Sequence, residues 1–200
     1  MGTRNLTAVY LNGEYKIAQY GQWDGYPDGQ GLNCLHFLRE RCDMPRFRDA
    51  VSKTKYITQE ELDKLLTGFG MKEDGMISCD DYDRFKLAYP ELHRDMASKI
   101  LEFVQNHPDG ALLKNSITFA ADGLFCEYAW VIDLDAGTFE GYEGFNKEPL
   151  TPEDRFFFLS EYEDGEYHGV KLVAKWPLDN LPADEDFLSA FKGEDEGEQG

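Results

Sequence analysis

The chain has 200 residues, 42% hydrophobic and 14% aromatic, enough for one ordinary domain burying roughly 70% of the surface its unfolded chain exposes. That composition excludes a disordered or low-complexity protein, and the lack of any uninterrupted apolar run near about eighteen residues excludes a membrane span. A formal net charge of −19 argues against direct binding to nucleic acid or to membrane headgroups, because like charges repel at close range.

The charge is unevenly spread. Residues 1–50 carry six basic and six acidic side chains, whereas residues 151–200 carry four basic and fourteen acidic ones. Such an anionic C-terminal quarter serves solubility in many proteins, and it also attracts basic partners. The N-terminus lacks the apolar segment of a secretory signal, and Leu6 stands where N-myristoylation requires Ser or Thr, so the expected location is the cytoplasm. Cys34, Cys42, Cys79 and Cys126 show no metal or redox spacing. They read as reduced thiols.

In chain order, RNLTAVYL (residues 4–11) and EYKIAQY (residues 14–20) flank Asn12-Gly13, the dipeptide that best supplies two positive φ angles, and this predicts a β-hairpin. The next segment, QWDGYPDGQG, concentrates aromatic and turn-forming residues, with Asp24-Gly25 and Pro27-Asp28-Gly29 reading as tight turns that leave Trp23 and Tyr26 projecting. A helix is predicted over residues 32–42, and a second short helix or a turn through residues 47–51. Thr58 with Glu61 forms a capping-box pattern, and Ser78 with Asp81 opens another helix that ends before Pro90. Residues 91–106 place Leu92, Met96, Ile100, Phe103 and Val104 on one helical face.

The second half changes period. Residues 124–134 are apolar on both faces, as in a central strand covered twice, and Ala136-Gly137 turns them into a second hairpin over residues 138–145. Residues 155–159 and 170–176 add two candidate strands, residues 184–191 a terminal helix, and residues 193–200 an acidic tail expected to be disordered. The expected fold is α+β. Residues 1–192 would form one domain, with a single antiparallel sheet made from the N-terminal hairpin and the C-terminal strands, and a central helical segment (residues 32–106) on one side.

Four groups of residues could carry chemistry. Residues 58–90 have the outline of an EF-hand centred on Gly75, yet Gly70 and Lys72 stand at ligand positions and Asp81 replaces the bidentate glutamate, so no metal is expected. Asp133, Asp135, Glu140 and Glu143 cluster about the second hairpin and could supply an acid–base pair, although charged turns are commoner than active sites. Thr3, on a strand that turns back quickly, suggests a small hydrolase of the N-terminal-nucleophile type, as would a cysteine brought beside a histidine. No phosphate-binding glycine loop is present, and no cofactor is expected.

RNLTAVYLNGEYKIAQYGQWDGYPDGQG, together with YAWVIDLDAGTFEGYEGFNKEPL, resembles an uncharacterised family associated with phage or prophage genes and with some fungal genomes. The resemblance carries no activity. It implies a small accessory protein made in a host cytoplasm, for which inhibition of host immunity is the expected task. Together with the charge, it leads to an acidic protein-binding module acting as a nucleic-acid mimic on a basic host protein, as a monomer or homodimer. Trp23, Asp24 and Tyr26 are expected to anchor the partner, with Glu161, Glu163, Asp164 and Glu166 supplying the charge. The hydrolase remains the alternative.

Overall fold

In the computed structural model, which describes residues 2–163 and 165–192, Asn12 (φ 56°) and Gly13 (φ 80°) turn β1 (Asn5–Leu11) back into β2 (Glu14–Gly21). The pairing shifts between Val9 and Tyr10, so Lys16 is the extra residue of a bulge that sharpens the hairpin's twist.

A continuous helical run then covers residues 27–41. It opens as a wide π turn (Pro27–Gly31), tightens into α1 (Leu32–His36), and widens again over Phe37–Arg41. The tight turn expected at Pro27-Asp28-Gly29 is therefore a helix start. Proline suits that position, because its fixed φ is helical and the N–H it lacks would have no partner in the first turn. Asp43 caps α2 (Met44–Lys53) by accepting the Arg46 N–H at 3.1 Å.

Past the short β3 (Lys55–Tyr56), the capping box forms as the spacing predicts. Thr58 Oγ1 accepts the Glu61 N–H, and the Glu61 carboxylate accepts the Thr58 N–H at 2.8 Å, which starts α3 (Gln59–Gly68). Ser78 starts α4 (Cys79–Ala88) by accepting the Asp81 N–H on its hydroxyl. These two helices bury Leu62, Phe85 and Leu92 in a small cluster of their own. The helix expected over residues 91–106 is shorter: only α5 (Lys99–Gln105) forms, because the chain bends at Ala97, where φ is +40°. The chain then closes with β4 (Leu112–Leu113), β5 (Tyr128–Asp133), β6 (Thr138–Glu143), β7 (Lys171–Pro177) and α6 (Asp184–Ser189).

The fold is α+β with one main five-stranded sheet, in the order β2-β1-β5-β6-β7; β3 and β4 form a separate two-stranded pair. The hairpin does return to the later strands, but the sheet is mixed and not antiparallel throughout. β1 and β5 run parallel, with Thr7 opposite Trp130 and Val9 opposite Ile132. Parallel neighbours need a long crossover, and the whole segment between β2 and β5 supplies it. Residues 155–159 also depart from expectation, since they lead into 3₁₀ turns (Phe157–Tyr162) and form no strand. Phe156 and Leu159 are buried while Phe157 and Phe158 are exposed, a spacing of three that a strand cannot present to one face.

β5 is covered twice, as its composition predicts. Val9, Ile17, Trp130, Ile132 and Phe139 meet the helices on one face, while Leu6, Ala8, Val131 and Tyr142 meet Ala120, Leu150, Phe156 and Leu159 on the other. The outer edge is blunted. β7 carries Lys171, Lys175, Pro177 and an irregularity opposite Gly141/Tyr142, features that discourage a further strand from adding.

Gly31 fits under Trp130 so closely that a Cβ there would lie 2.9 Å from the indole and 3.0 Å from Phe187. Gly31→Ala is expected to destabilise the protein by about 1–3 kcal/mol in urea unfolding. Gly68→Ala, which meets nothing within 4 Å, should be neutral or stabilising by up to about 1 kcal/mol.

Candidate functional site

Because β1 and β5 start at the same end of the sheet, and β2 and β6 finish there, that end gathers three loops beside the segment that leads into β1. The first is the aromatic loop after β2. The Gly25 N–H donates to the Thr3 carbonyl at 2.9 Å, and the Gly25 carbonyl accepts the Trp130 indole N–H at 3.2 Å. Asp24 sits at φ 56°, and its carbonyl accepts the Gln30 N–H at 2.8 Å, an approach that only glycine at position 29 permits. The Gln30 carboxamide oxygen in turn accepts from the Ser98 hydroxyl and N–H. Fastened from beneath, the loop leaves Trp23 over Gly2 and Tyr26 beside Tyr128 (6.1 Å), both rings about half exposed.

The other loops add aromatic surface that the sequence reading missed. Phe125, read as part of a strand, lies in the turn before β5, exposed and covered by the Arg4 guanidinium at 4.6 Å. Phe145 follows β6 at φ 54°, with its N–H donating to the Gly123 carbonyl at 2.6 Å and its exposed ring edge-on to Tyr167 at 5.8 Å. The usable signal is positional: both phenylalanines flank the hairpin just outside its paired residues.

The acidic residues expected to face a partner divide into different roles. Glu166 is exposed and pairs with Lys147 at 3.3 Å, and Lys147 lies over the Tyr167 ring, so this charge borders the aromatic end. Glu163 turns inward, accepting from the Gly169 N–H at 2.9 Å and bonding His168 Nδ1 at 2.7 Å. Glu161 is exposed on the 3₁₀ turns. Asp164 lies outside the described residues.

A second polar site occupies the sheet face away from the helices. Arg155 bonds Glu140 through Nε (2.7 Å) and Nη2 (3.0 Å) and also bonds Asp133; Lys175 joins Glu140 at 3.1 Å, and the Tyr142 hydroxyl donates to it at 2.5 Å. Burial alone would raise the Glu140 pKa, but the Arg155 and Tyr142 hydrogen bonds and the two cations outweigh it and hold the carboxyl at about 2. Of the four carboxylates at this hairpin, Asp133 and Glu140 thus come together as partners of one guanidinium, with Glu140 held too acidic to donate a proton near neutrality. Asp135 instead caps the first hairpin, accepting the Asn12 and Gly13 N–H groups at 3.0 and 2.9 Å, and Glu143 sits at the far end of β6.

The residues suggested for nucleophilic chemistry are differently placed. Thr3 is buried, with its carbonyl engaged by Gly25. Cys34 and Cys126 are fully buried, and burial pushes their thiols up, Cys34 to about 12. His36 bonds Asp184 at 2.8 Å and His168 bonds Glu163; no thiol–imidazole hydrogen bond occurs among the described residues. In the helix–loop–helix segment, Asp74 caps its own turn by accepting the Met76 N–H, while Asp81 bonds Ser78 and Arg84. Among the described residues, no group of three or more His, Cys, Asp or Glu side chains is placed to hold a metal ion.

Comparisons with protein families, curated proteins and solved structures give no match. No helix among the described residues is long and apolar enough to cross a membrane.

The Arg155 network yields a test of stability. Arg155→Met leaves the buried Asp133 without a cation and Glu140 with Lys175 alone, and is expected to cost about 3–5 kcal/mol in urea unfolding. Because the Glu140 pKa is depressed on folding, its contribution is complete above the ordinary value of 4.5 and is lost as pH falls toward about 2. The stability gap between wild type and Glu140→Gln should therefore be constant from pH 6 to 8 and narrow steadily below about pH 4.5.

Proposed function

We propose that the protein is a non-enzymatic binding module whose contact surface is the end of the sheet carrying Trp23, Tyr26, Phe125 and Phe145. One observation carries this reading: three loops, each held by backbone hydrogen bonds, present four half-exposed aromatic rings at the same end of one sheet. Rigid aromatic side chains give large contact area at little entropic cost, and exposed apolar groups gathered in one place mark interaction surfaces. Asp24 and Glu166 border these rings, and the net charge of −19 favours a basic partner. The encounter would be steered by charge and held by the desolvated rings.

Within this reading, the partner is a protein whose basic surface ordinarily holds nucleic acid, with the carboxylates standing in for phosphates. A host defence protein is the narrower form of that proposal, and it rests on the resemblance of the opening motif. The burial of Thr3 and of two of the four cysteines favours binding over hydrolysis. Glu163 contributes to the fold of the acidic loop, so charge presentation falls to Glu161 and Glu166.

The test is affinity capture from a cell lysate, followed by measurement with the purified basic protein recovered. Trp23→Ala with Tyr26→Ala should weaken binding by at least about tenfold, mainly through faster dissociation. Glu161→Gln with Glu166→Gln should slow association and flatten its salt dependence. Competition by duplex or single-stranded nucleic acid is expected. Binding unchanged in both double variants would overturn the proposal.

A further inference from the structure

The sheet face opposite the helices opens into a cavity of about 470 Å³, on the Arg155 network and separate from the aromatic end. Such a volume falls within the range of small-molecule sites, roughly 300–1,000 Å³. Its floor is polar and its walls include Tyr15, Phe158 and Leu172.

What the floor can still bind decides the ligand. Glu140 is saturated, since Oε1 accepts from Thr138, Arg155 and Lys175, and Oε2 from Tyr142 and Arg155. Asp133 is similarly occupied, with Oδ1 accepting the Asp135 and Ala136 N–H groups and Oδ2 bonding Arg155. On the donor side, Arg155 Nη1 bonds no carboxylate among the described residues, and the half-exposed Lys175 ammonium has protons beyond the one directed at Glu140. On the acceptor side, Glu153 stands exposed at the rim and pairs with no cation among the described residues.

A plain anion is disfavoured here, because Asp133, Glu140, Glu153 and Asp154 outnumber Arg155 and Lys175 in the lining and the whole chain is strongly negative. A plain cation answers Glu153 but leaves the unused donors of Arg155 and Lys175 unmatched and repels them. A molecule bearing both charges on neighbouring atoms, with an apolar body, answers all three elements. We propose that this cavity binds a free α-amino acid with an apolar side chain, its carboxylate accepting from Arg155 Nη1 and Lys175, its ammonium facing Glu153, and its side chain against Tyr15, Phe158 and Leu172.

Titration calorimetry with L-phenylalanine and L-leucine tests this, with 3-phenylpropionate as the arm lacking the amine and phenethylamine as the arm lacking the carboxylate. At least one amino acid should bind, and each single-charge arm should bind about tenfold more weakly than L-phenylalanine or not at all. Glu153→Gln, a surface change, should weaken the amino acids about tenfold and leave 3-phenylpropionate unaffected, and Lys175→Met should weaken both. Equal binding by either single-charge arm would overturn the proposal, as would an unchanged affinity in Glu153→Gln, or no amino-acid binding at millimolar concentration by a protein whose thermal midpoint is normal.

Discussion

The structure turns on one buried indole. Trp130 faces Gly141 across the β5–β6 pair, and a Cβ at Gly141 would come within 2.9 Å of the ring. The same ring also meets Gly31, and Tyr128 stacks against it at 5.8 Å with the planes nearly parallel. Two glycines thus make room for the largest side chain in the core, an arrangement in which area burial and cross-strand contact reinforce each other. The polar edge of the indole is used as well. Its N–H donates to the Gly25 carbonyl, so the most deeply buried aromatic ring anchors the loop that exposes Trp23 and Tyr26. Core and candidate surface are consequently parts of one packing unit, and the loop's rigidity comes from the core beneath it.

That coupling also explains the position of the surface. Had β5 run antiparallel to β1, the turn before it would lie at the opposite end of the sheet, and Phe125 would be distant from the aromatic loop. The parallel pairing aligns Asn5 with Tyr128 and brings Arg4 to Glu127, through which the segment before β1 touches the turn before β5. A strongly acidic chain has little freedom to bury charge. The most buried carboxylate among the described residues, Glu140 at 1% exposure, is surrounded by two cations and two hydroxyls, as the cost of desolvating an unpaired carboxylate requires.

Much of this was legible in local chemistry. Asn12-Gly13, the Thr58–Glu61 box and the Ser78 cap each name their structure through interactions spanning four residues or fewer, and all three formed. The α+β class followed from the change of period along the chain. What escaped prediction depended on distant partners. Pro27-Asp28-Gly29 has turn chemistry, but it starts a helix because Gly31 must reach Trp130, a residue far away in sequence. Residues 155–159 looked like a strand by composition, and only the sheet face below them selects Phe156 and Leu159 for burial. The direction of β5 relative to β1 has no local signature at all.

The acidic quarter shows the same limit within a single residue type. Glu161, Glu163 and Glu166 are indistinguishable in the sequence, being glutamates in a polar run that each propensity rule assigns to solvent. The fold separates them by what lies within hydrogen-bonding reach. Glu163 meets the His168 ring and the Gly169 N–H, and so closes the loop that leads into β7. Among the described residues Glu166 pairs with Lys147, an exposed pair of the kind that contributes little to stability. A carboxylate satisfied by backbone and imidazole gains little from a basic partner, whereas one in an exposed ion pair can trade that contact for a better one. Capacity to bind therefore resides in the charges the fold does not use, and net charge overstates it.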